Sequence, residues 1–346
     1  MTRLRITYGP WGETLGELRD AAAAAEDAGA EVLWVPELHR SATVAAATIA
    51  EATNTAHIGT GIALAFARSP MTTALEALDL DELTEGRFIL GLGSGVRRLN
   101  EDWHGVDFVH PVRRLAETVA CIRAFTERCT TGEEIDAGGD LARLRIRGYQ
   151  RPFPVRRPRI PVYLAGVGPA MTRCAARVGD GWISHELCSP AYLKDRLLPR
   201  VDEGLRQGGR ERADFDVVVS ACCSIDRDRD AARRRAAGLV GFYATVRTYA
   251  DLFDFHGLAA EQAAVVDRFR AGAGADGLAD AVPARMTDAL TLTGTQDEVR
   301  DRVLAYEGLA DTIKLTPPTH GLSAPEIRAA QERVIALIAE LSGEWS

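Results

Sequence analysis

Short apolar runs alternate with longer segments of helical periodicity along most of the chain, and this alternation constrains the fold more than any other feature of the sequence. The eight runs that we interpret as strands are LRITY (4–8), VLWVP (32–36), HIGTGIAL (57–64), FILGLG (88–93), PVYLAG (161–166), GDGWISH (179–185), DFDVVVSACCSI (214–225) and DTIKLTPP (311–318). Strands separated by helices in this way form parallel sheets built from βα units. Eight such units favour a single (β/α)8 TIM barrel, of the α/β class, over an open doubly wound sheet.

Two stretches depart from this alternation. Residues 130–160 are rich in Gly, Arg and Pro, and we interpret them as an insertion, a hairpin and loop that lie as a lid over the carboxyl-terminal mouth of the barrel. Residues 229–290 form a helical excursion before the last strand, and AGAGADGLAD (271–280) within it is expected to be a loop. GTQDEV (294–299) predicts a helix start with a capping box. We expect 1–346 to be one domain.

The net charge and the cysteine spacing make several classes of binding partner unfavourable. The chain of 346 residues carries a net charge of −8, which disfavours binding to nucleic acid or to an acidic membrane surface. Its first residues, MTRLRITYGPWGE, lack the apolar core of a secretory signal, and no stretch approaches the length of an apolar transmembrane segment, so we expect neither export nor membrane insertion. Its six cysteines follow no metal-ligand or disulfide spacing, which fits a metal-free protein of a reducing cytoplasm. The expected partner is a small-molecule substrate.

One basic segment interrupts the acidic background. RLRIRGYQRPFPVRRPR (143–159) holds seven arginines and no acidic residue. Two interpretations stay open: a solvated edge strand and loop, or a lid whose guanidinium groups bind an anionic ligand.

The candidate site residues follow from the barrel architecture, because ligand sites of such barrels form at the carboxyl ends of the strands. The residues near those ends are Glu37 and His39 for the second strand, Gly61, Ile62 and Ala63 for the third, Gly93, Ser94 and Asn100 for the fourth, Gly166, Val167, Gly168 and Pro169 for the fifth, His185 for the sixth and His320 for the eighth.

The GVGP segment (166–169) is the most informative of these. A strand runs through it directly into a helix, so the unpaired amides of the first helical turn and the helix dipole favour a phosphate there. A tight turn with no ligand would also use this pattern. GLGSGVRRLNEDWHG (91–105) fits neither a P-loop nor a dinucleotide fingerprint, and we interpret it as a βα loop that offers polar contacts at the mouth.

A combination of motifs resembles a known family. LWVPELH, IGTGIALAFARSPM, GRFILGLGSG, VYLAGVGPAMTRCAARVGDGW and GTQDEV are spread over nearly the whole chain. In this combination and order they resemble the luciferase-like monooxygenase superfamily, in the branch that uses the deazaflavin coenzyme F420.

The resemblance implies a TIM barrel with an insertion over its mouth, a bound deazaflavin or flavin, and commonly a homodimer. It also implies a cis peptide at Gly61–Ile62, whose bulge supports the back of the cofactor ring. The cofactor-binding residues would be Gly61, Ile62, Ala63, Gly93, Ser94, Asn100, Gly166, Val167, Gly168 and Pro169, with the phosphate against the last four. The seven arginines of 143–159 would then be suited to the polyglutamate tail of F420, which FMN lacks.

The proton donor stays open, because the sequence departs from the family pattern. Members usually place His directly after the acidic residue that ends the second strand, whereas Leu38 fills that position here and His39 follows. If the residues are extended, Glu37 and His39 share one face. Three interpretations remain: His39 donates the proton; His39 is structural and His185 or a substrate-bound water serves; or no catalytic proton donor exists.

The resemblance implies an F420-dependent oxidoreductase that moves a hydride between the deazaflavin and an activated alkene, imine, carbonyl or alcohol. The alternatives are an FMN-dependent monooxygenase of the same fold and an inert cofactor-binding relative. A Schiff-base lyase is less favoured, because neither Lys194 nor Lys314 has a recognisable acid–base partner. The aromatic residues of GFYATVRTY (241–249) would line the pocket or belong to the core or an interface.

Overall fold

The computed structural model describes residues 3–274 and 277–343. The strands are β1 (Arg5–Tyr8), β2 (Val32–Val35), β3 (His57–Thr60), β4 (Ala63–Leu64), β5 (Phe88–Gly93), β6 (Ile135–Gly138), β7 (Arg143–Ile146), β8 (Val162–Ala165), β9 (Gly181–Ile183), β10 (Asp216–Ile225), β11 (Leu292–Gly294) and β12 (Thr312–Thr316). The helices are α1 (Leu15–Asp27), α2 (Ala42–Ala50), α3 (Pro70–Leu83), α4 (Pro111–Arg128), α5 (Pro169–Val178), α6 (Pro190–Tyr192), α7 (Leu198–Gly208), α8 (Arg229–Ala244), α9 (Ala250–Phe255), α10 (Ala259–Arg270), α11 (Ala284–Leu290), α12 (Gln296–Leu304) and α13 (Ala324–Gly343).

The eight predicted runs all form strands, and parallel strands alternate with helices along the chain. The fold class is the (β/α)8 TIM barrel, as the sequence predicts. The chain divides into two compact units, each assembled from separate segments. Unit 1 comprises Met1–Glu31, Ser184–Pro199 and Val217–Ser346, and unit 2 comprises Val32–Ile183 and Arg200–Asp216. The expectation that 1–346 is one domain stays a prediction.

Unit 1 contains four parallel strands in the order β1, β12, β10, β11. The strand β11 was not predicted, because three residues are too short to show a hydrophobic period. The long helix α13 packs on β1 and β12. Tyr8 at the end of β1 is buried, and its hydroxyl donates a hydrogen bond to Gln331 of α13 over 3.0 Å.

Unit 2 contains the parallel strands β2, β3, β5, β8 and β9 in that order, with β4 also beside β5. Two glycines permit this packing. A Cβ on Gly59 would lie 2.3 Å from the buried Trp34 ring, and a Cβ on Gly91 would lie 1.8 Å from the carbonyl oxygen of Thr60. The Thr60 hydroxyl also donates to the Gly91 oxygen over 2.7 Å and accepts from the Gly91 amide over 2.9 Å. Any side chain at Gly91 would therefore separate β3 from β5.

The third predicted strand is interrupted. The run 57–64 is divided into β3 and β4 by a cis peptide between Gly61 and Ile62, which confirms what the resemblance implied. β4 pairs with the end of β5, with Ala63 opposite Leu92 and Leu64 opposite Gly93.

The predicted hairpin within 130–160 is present, since β6 and β7 pair in antiparallel fashion. It packs mainly on α4, with further contacts to α3. The Glu117 carboxylate of α4 accepts hydrogen bonds from the amides of Leu141 and Ala142 at the hairpin turn, over 2.7 and 3.0 Å. Arg157, after the hairpin, pairs with Asp81 of α3 and donates to the oxygen of Phe88 at the start of β5. These contacts do not support a lid over the carboxyl ends of the strands, and the lid stays a prediction.

The arginines of 143–159 are mostly paired with carboxylates of the chain itself. Their acidic partners are Asp136 for Arg143 and Arg145, Glu134 for Arg147, Asp79 for Arg151, Asp81 for Arg157 and Asp180 for Arg159. The first interpretation, an edge strand and loop, therefore fits better than a lid that offers unpaired guanidinium groups to an anionic ligand.

The region 229–290 is helical as predicted, with α8 to α11 in it. The loop predicted for 271–280 includes residues 275 and 276, which lie outside the described residues. Thr295 and Glu298 form the predicted capping box at the start of α12. The six cysteines are free and buried. Among the described residues, no helix is both long and apolar enough to cross a bilayer.

Candidate functional site

Glu37 lies two residues after β2 and holds the segment that follows the cis peptide. Its amide donates to the Ile62 oxygen over 3.0 Å, and its carboxylate accepts from the Leu64 amide over 2.8 Å. Arg68 donates to both carboxylate oxygens and also pairs with Glu76 over 3.3 Å. Burial alone would raise the pKa of Glu37, but the hydrogen bonds from Arg68 and Leu64 outweigh it and lower that pKa. Glu37 is thus ionised, and its carboxylate holds the backbone of β4 at Leu64.

His39 does not share this environment. The strand β2 ends at Val35, and residues 37–40 form bends instead of extended backbone. Residues 37–40 therefore lack the extended backbone on which the predicted shared face of Glu37 and His39 depends. Glu37 is half-buried, whereas Leu38 and His39 are exposed.

The strand ends of β4, β5 and β8 meet around Gly93. A Cβ on Gly93 would lie 2.9 Å from Ile62 Cδ1 and 3.6 Å from Ala165 Cβ, so the Ile62 side chain lies directly against the Gly93 backbone. The Gly93 oxygen accepts from the Ala65 amide over 2.9 Å. The structure thus brings together the predicted residues Ile62, Ala63 and Gly93, and Gly166 follows Ala165 in the chain.

Asn100 closes the loop after β5. It is buried and lies in a π-helical turn, Leu99–Trp103, a feature often found at functional sites. Its Nδ2 donates to the oxygens of Ser94 and Val96 over 2.8 and 3.0 Å, which fixes the orientation of the amide. Its Oδ1 is buried and has no hydrogen-bond partner among the described residues. This oxygen can accept a hydrogen bond from a ligand.

The GVGP segment has the predicted strand-to-helix geometry. Gly168 is the N-cap of α5, with Pro169 as the first helical residue, and the amides that follow have no partner inside the helix. A Cβ on Gly166 would lie 3.0 Å from the backbone of Met171 and Thr172, so the loop folds tightly onto the first turn, whereas a Cβ on Gly168 would meet nothing within 4 Å. The indole of Trp182 donates to the Gly166 oxygen over 2.8 Å. The helix start is open to an anion.

The two arginines of the β5 loop are exposed and locally paired. Arg97 pairs with Glu101, and Arg98 lies 3.7 Å from Asp102. These are surface pairs at helical spacing, which contribute little to stability.

Unit 1 contains a second cluster, centred on His185. The rings of Tyr243 of α8 and Tyr249 lie 4.1 and 4.3 Å from the His185 ring, centroid to centroid. His320, four residues after β12, lies 5.0 Å from the ring of Phe242. The predicted residues His185 and His320 and the aromatic residues of 241–249 thus belong to one aromatic cluster.

The electrostatics of this cluster keep its aromatic members uncharged. Burial, with smaller contributions from His320 and Lys314, lowers the pKa of His185 to about 3. Burial also raises the pKa of both tyrosines, with a contribution from Glu186. The buried Lys314 has a lowered pKa because of burial, which the attraction of Glu186 partly offsets.

Sequence reasoning placed the ends of the strands correctly but missed some partners. The role of Arg68 carried no local signal, because it lies 31 residues from Glu37. Lys314 was considered only as a Schiff-base lysine, and its grouping with His185 depends on tertiary structure. Within the described residues, no cluster of His, Cys, Asp or Glu could hold a metal ion.

Comparison with known proteins gives the family. The family model described as luciferase-like monooxygenase matches residues 1–312. The chain is 29% identical over 312 residues to a 5,10-methylenetetrahydromethanopterin reductase of Archaeoglobus fulgidus, covering 87% of this chain and 90% of the relative. It is 29% identical to a Mycobacterium tuberculosis protein provisionally named as a coenzyme F420-dependent oxidoreductase, over 94% of this chain and 97% of that protein.

A solved structure shows the same fold. The coenzyme F420-dependent tetrahydromethanopterin reductase from Methanopyrus kandleri superposes with a TM-score of 0.82 at 21% identity, over 97% of this chain and 98% of that chain. Together with the match to residues 1–312, these findings show that the chain belongs to the luciferase-like monooxygenase family.

Proposed function

We propose that the protein is an F420-dependent oxidoreductase that transfers a hydride between C5 of the deazaflavin and a small organic substrate, which is an activated alkene, imine, carbonyl or alcohol. The observation that carries the proposal is the set of strand ends in unit 2, where Ile62, the bare backbone of Gly93 and the start of α5 at Gly168 and Pro169 follow neighbouring strands. The names of the relatives support a redox function with this coenzyme.

The residues present fit such a coenzyme. The amides at the start of α5 suit its phosphate, and the open space at Gly168 permits close approach. The unpaired Oδ1 of Asn100 suits a hydroxyl or ring N–H donor. When bound, the coenzyme supplies or accepts the hydride, while the protein supplies position and electrostatics.

The residues of this chain have distinct roles in the proposal. Glu37 and Arg68 hold the backbone around Ile62 and Leu64, which makes Glu37 a positioning residue. His39, exposed two residues further along the chain, stays a candidate proton donor. His185 is uncharged at neutral pH because of its low pKa, so it does not act as an imidazolium acid.

The cofactor assignment is tested by titrating the protein with oxidised F420 and, separately, with FMN while following absorbance and fluorescence. We expect saturable spectral changes with F420 and an affinity for FMN lower by about tenfold or more. Tighter binding of FMN would favour the monooxygenase alternative.

The activity is tested by reoxidation of the bound, reduced coenzyme. A panel of enones, imines and ketones is added to the reduced complex under anaerobic conditions, and the return of the oxidised spectrum is recorded. At least one class should accept the hydride. Tight binding of coenzyme with no reoxidation by any class would favour the inert carrier.

The structure favours a smaller contribution of the polyglutamate tail to coenzyme binding than the sequence indicated. Because the arginines of 143–159 have acidic partners within the chain, F420 with one and with five glutamates should bind with affinities that differ by no more than about threefold at moderate salt. A strong, salt-sensitive preference for the longer tail would restore the idea of an arginine lid.

A further inference from the structure

The imidazole of His185 offers a hydrogen bond that the protein itself does not use. The Leu187 amide donates to His185 Nδ1 over 3.3 Å, so in the neutral ring the proton is on Nε2. Nε2 is shielded from solvent and has no hydrogen-bond partner among the described residues. A shielded donor without a partner is unfavourable, and an acceptor that reaches it regains the lost interaction.

The surroundings of His185 indicate which kind of acceptor fits. The adjoining rings of Tyr243, Tyr249 and Phe242 are apolar or uncharged. Glu186 lies close enough to contribute to the raised pKa of Tyr243 and to offset part of the burial effect on Lys314. A carboxylate, phosphate or ammonium ligand would lose its hydration in this buried cluster, which is costly for a charged group. An uncharged molecule with a single oxygen and an apolar ring or chain avoids that cost.

The two tyrosines differ in how firmly the backbone holds them. Tyr243 lies within the sixteen-residue helix α8, whereas Tyr249 ends a single 3-10 turn, Arg247–Tyr249. Both rings pack at similar distances from the His185 ring, and Nε2 is shielded from solvent, so an entering oxygen atom requires a neighbouring group to move. We expect the short turn that holds Tyr249, which leads into the six-residue helix α9, to move more readily than the longer helix α8.

We propose that His185 binds the carbonyl or hydroxyl oxygen of an uncharged substrate through its Nε2–H, and that the Tyr249 ring moves aside to admit it. The inference rests on the proposed function in calling this ligand a substrate, and it narrows the substrate to uncharged carbonyl compounds and alcohols. A neutral imidazole that donates to a carbonyl oxygen polarises it without transferring its own proton. His185 is then a determinant of specificity.

The test uses the full chain labelled with 15N-histidine. Long-range proton–nitrogen spectra at pH 7 should show His185 as the neutral Nε2–H form, and His185→Phe assigns its signals among the seven histidines. Cyclohexanone and cyclohexanol should shift the His185 Nε2 resonance saturably. Cyclohexanecarboxylate and cyclohexylammonium should bind about tenfold more weakly or not at all.

Two tyrosine variants test whether the Tyr249 ring controls access to His185, and a histidine variant is the matched control. Tyr249→Ala should strengthen cyclohexanone binding, while Tyr243→Ala, in the firmer helix, should not. His256→Gln is the control histidine variant, since His256 Nε2 already bonds Ser189 Oγ over 3.0 Å, and it should leave the response unchanged.

Defined results would overturn the proposal. These are a doubly protonated His185 at pH 7, an Nε2 resonance that no uncharged probe shifts, or binding of cyclohexanone that persists in His185→Phe. The outcome is separable from that of the proposed function, because the probes are added without coenzyme and F420 titration is a separate measurement. Probe binding without F420 binding would refute only the oxidoreductase assignment.

Discussion

The Glu37 carboxylate holds the backbone that follows Ile62. It accepts hydrogen bonds from Arg68 and from the Leu64 amide, so its ionised form fixes the backbone beside Ile62. Glu37→Gln keeps the size but loses the charge, and we expect it to destabilise the fold by about 1–3 kcal/mol and to weaken coenzyme binding. Urea denaturation and F420 titration measure both effects. Glu51→Gln, an exposed glutamate at the end of α2, is the control and should change neither.

The pH dependence of this effect has a defined sign. The folded-state pKa of Glu37 is lowered, so its stabilisation is fully present above the unfolded pKa of about 4.3 and is lost as the pH falls through the folded value. The stability difference between wild type and Glu37→Gln should therefore be largest near pH 7 and shrink below about pH 4. A stability difference that grows as the pH falls would contradict the stabilising role of the ionised Glu37 carboxylate.

Gly91 and Gly168 should differ sharply in whether they tolerate a side chain. Alanine at Gly91 would place its Cβ against the Thr60 oxygen, and we expect a loss of about 3 kcal/mol or more, or insoluble protein. Alanine at Gly168, where the space is open and φ is −86°, should change stability by no more than about 0.5 kcal/mol. Thermal or urea unfolding measures the stability of both variants. Equal stabilities would contradict the close packing of β3 against β5.

At the scale of elements, the start of α5 offers the most direct test of phosphate binding. Gly168→Asp places a carboxylate at the N-cap, a favourable position for a helix, so stability should hold or rise slightly. The same charge should repel the phosphate and weaken F420 binding by about tenfold or more. Isothermal titration of this variant and of Gly168→Asn, which caps without charge, separates repulsion from steric blockage. If the aspartate variant binds F420 with unchanged affinity, the phosphate binds at another place.

The elements also show what could be inferred from the sequence and what could not. Strands with a clear apolar run, such as β5 and β12, were predicted to within a few residues because the run is a local feature of the sequence. β11 was missed because three residues carry no period. The packing of the β6–β7 hairpin on α4 depends on Glu117 accepting two amides of the hairpin turn, which no local pattern reveals. The carboxyl ends of the strands were located from the sequence, whereas the pairing of Arg68 with Glu37 and the cluster around His185 depend on tertiary contacts.

At the scale of the whole molecule, burial makes the six thiols unreactive. Burial raises the pKa of Cys188 and of Cys223 to about 12, and thiolate is the reactive form. A thiol reagent at pH 8 should label none of the six within minutes in the folded chain and all six in urea. Rapid labelling of the native protein would show that at least one of these cysteines is accessible.

The pairing of β1 with β12 has a consequence for biosynthesis. The Thr7 hydroxyl donates to the oxygen of Ile313, 306 positions later, so β12 is translated long after β1. Strands β2 to β9 can pair while translation continues, because their partners emerge soon after them. A nascent chain arrested before residue 312 should therefore leave the β12 side of β1 without a paired strand and resemble a chaperone client, however well its middle has folded.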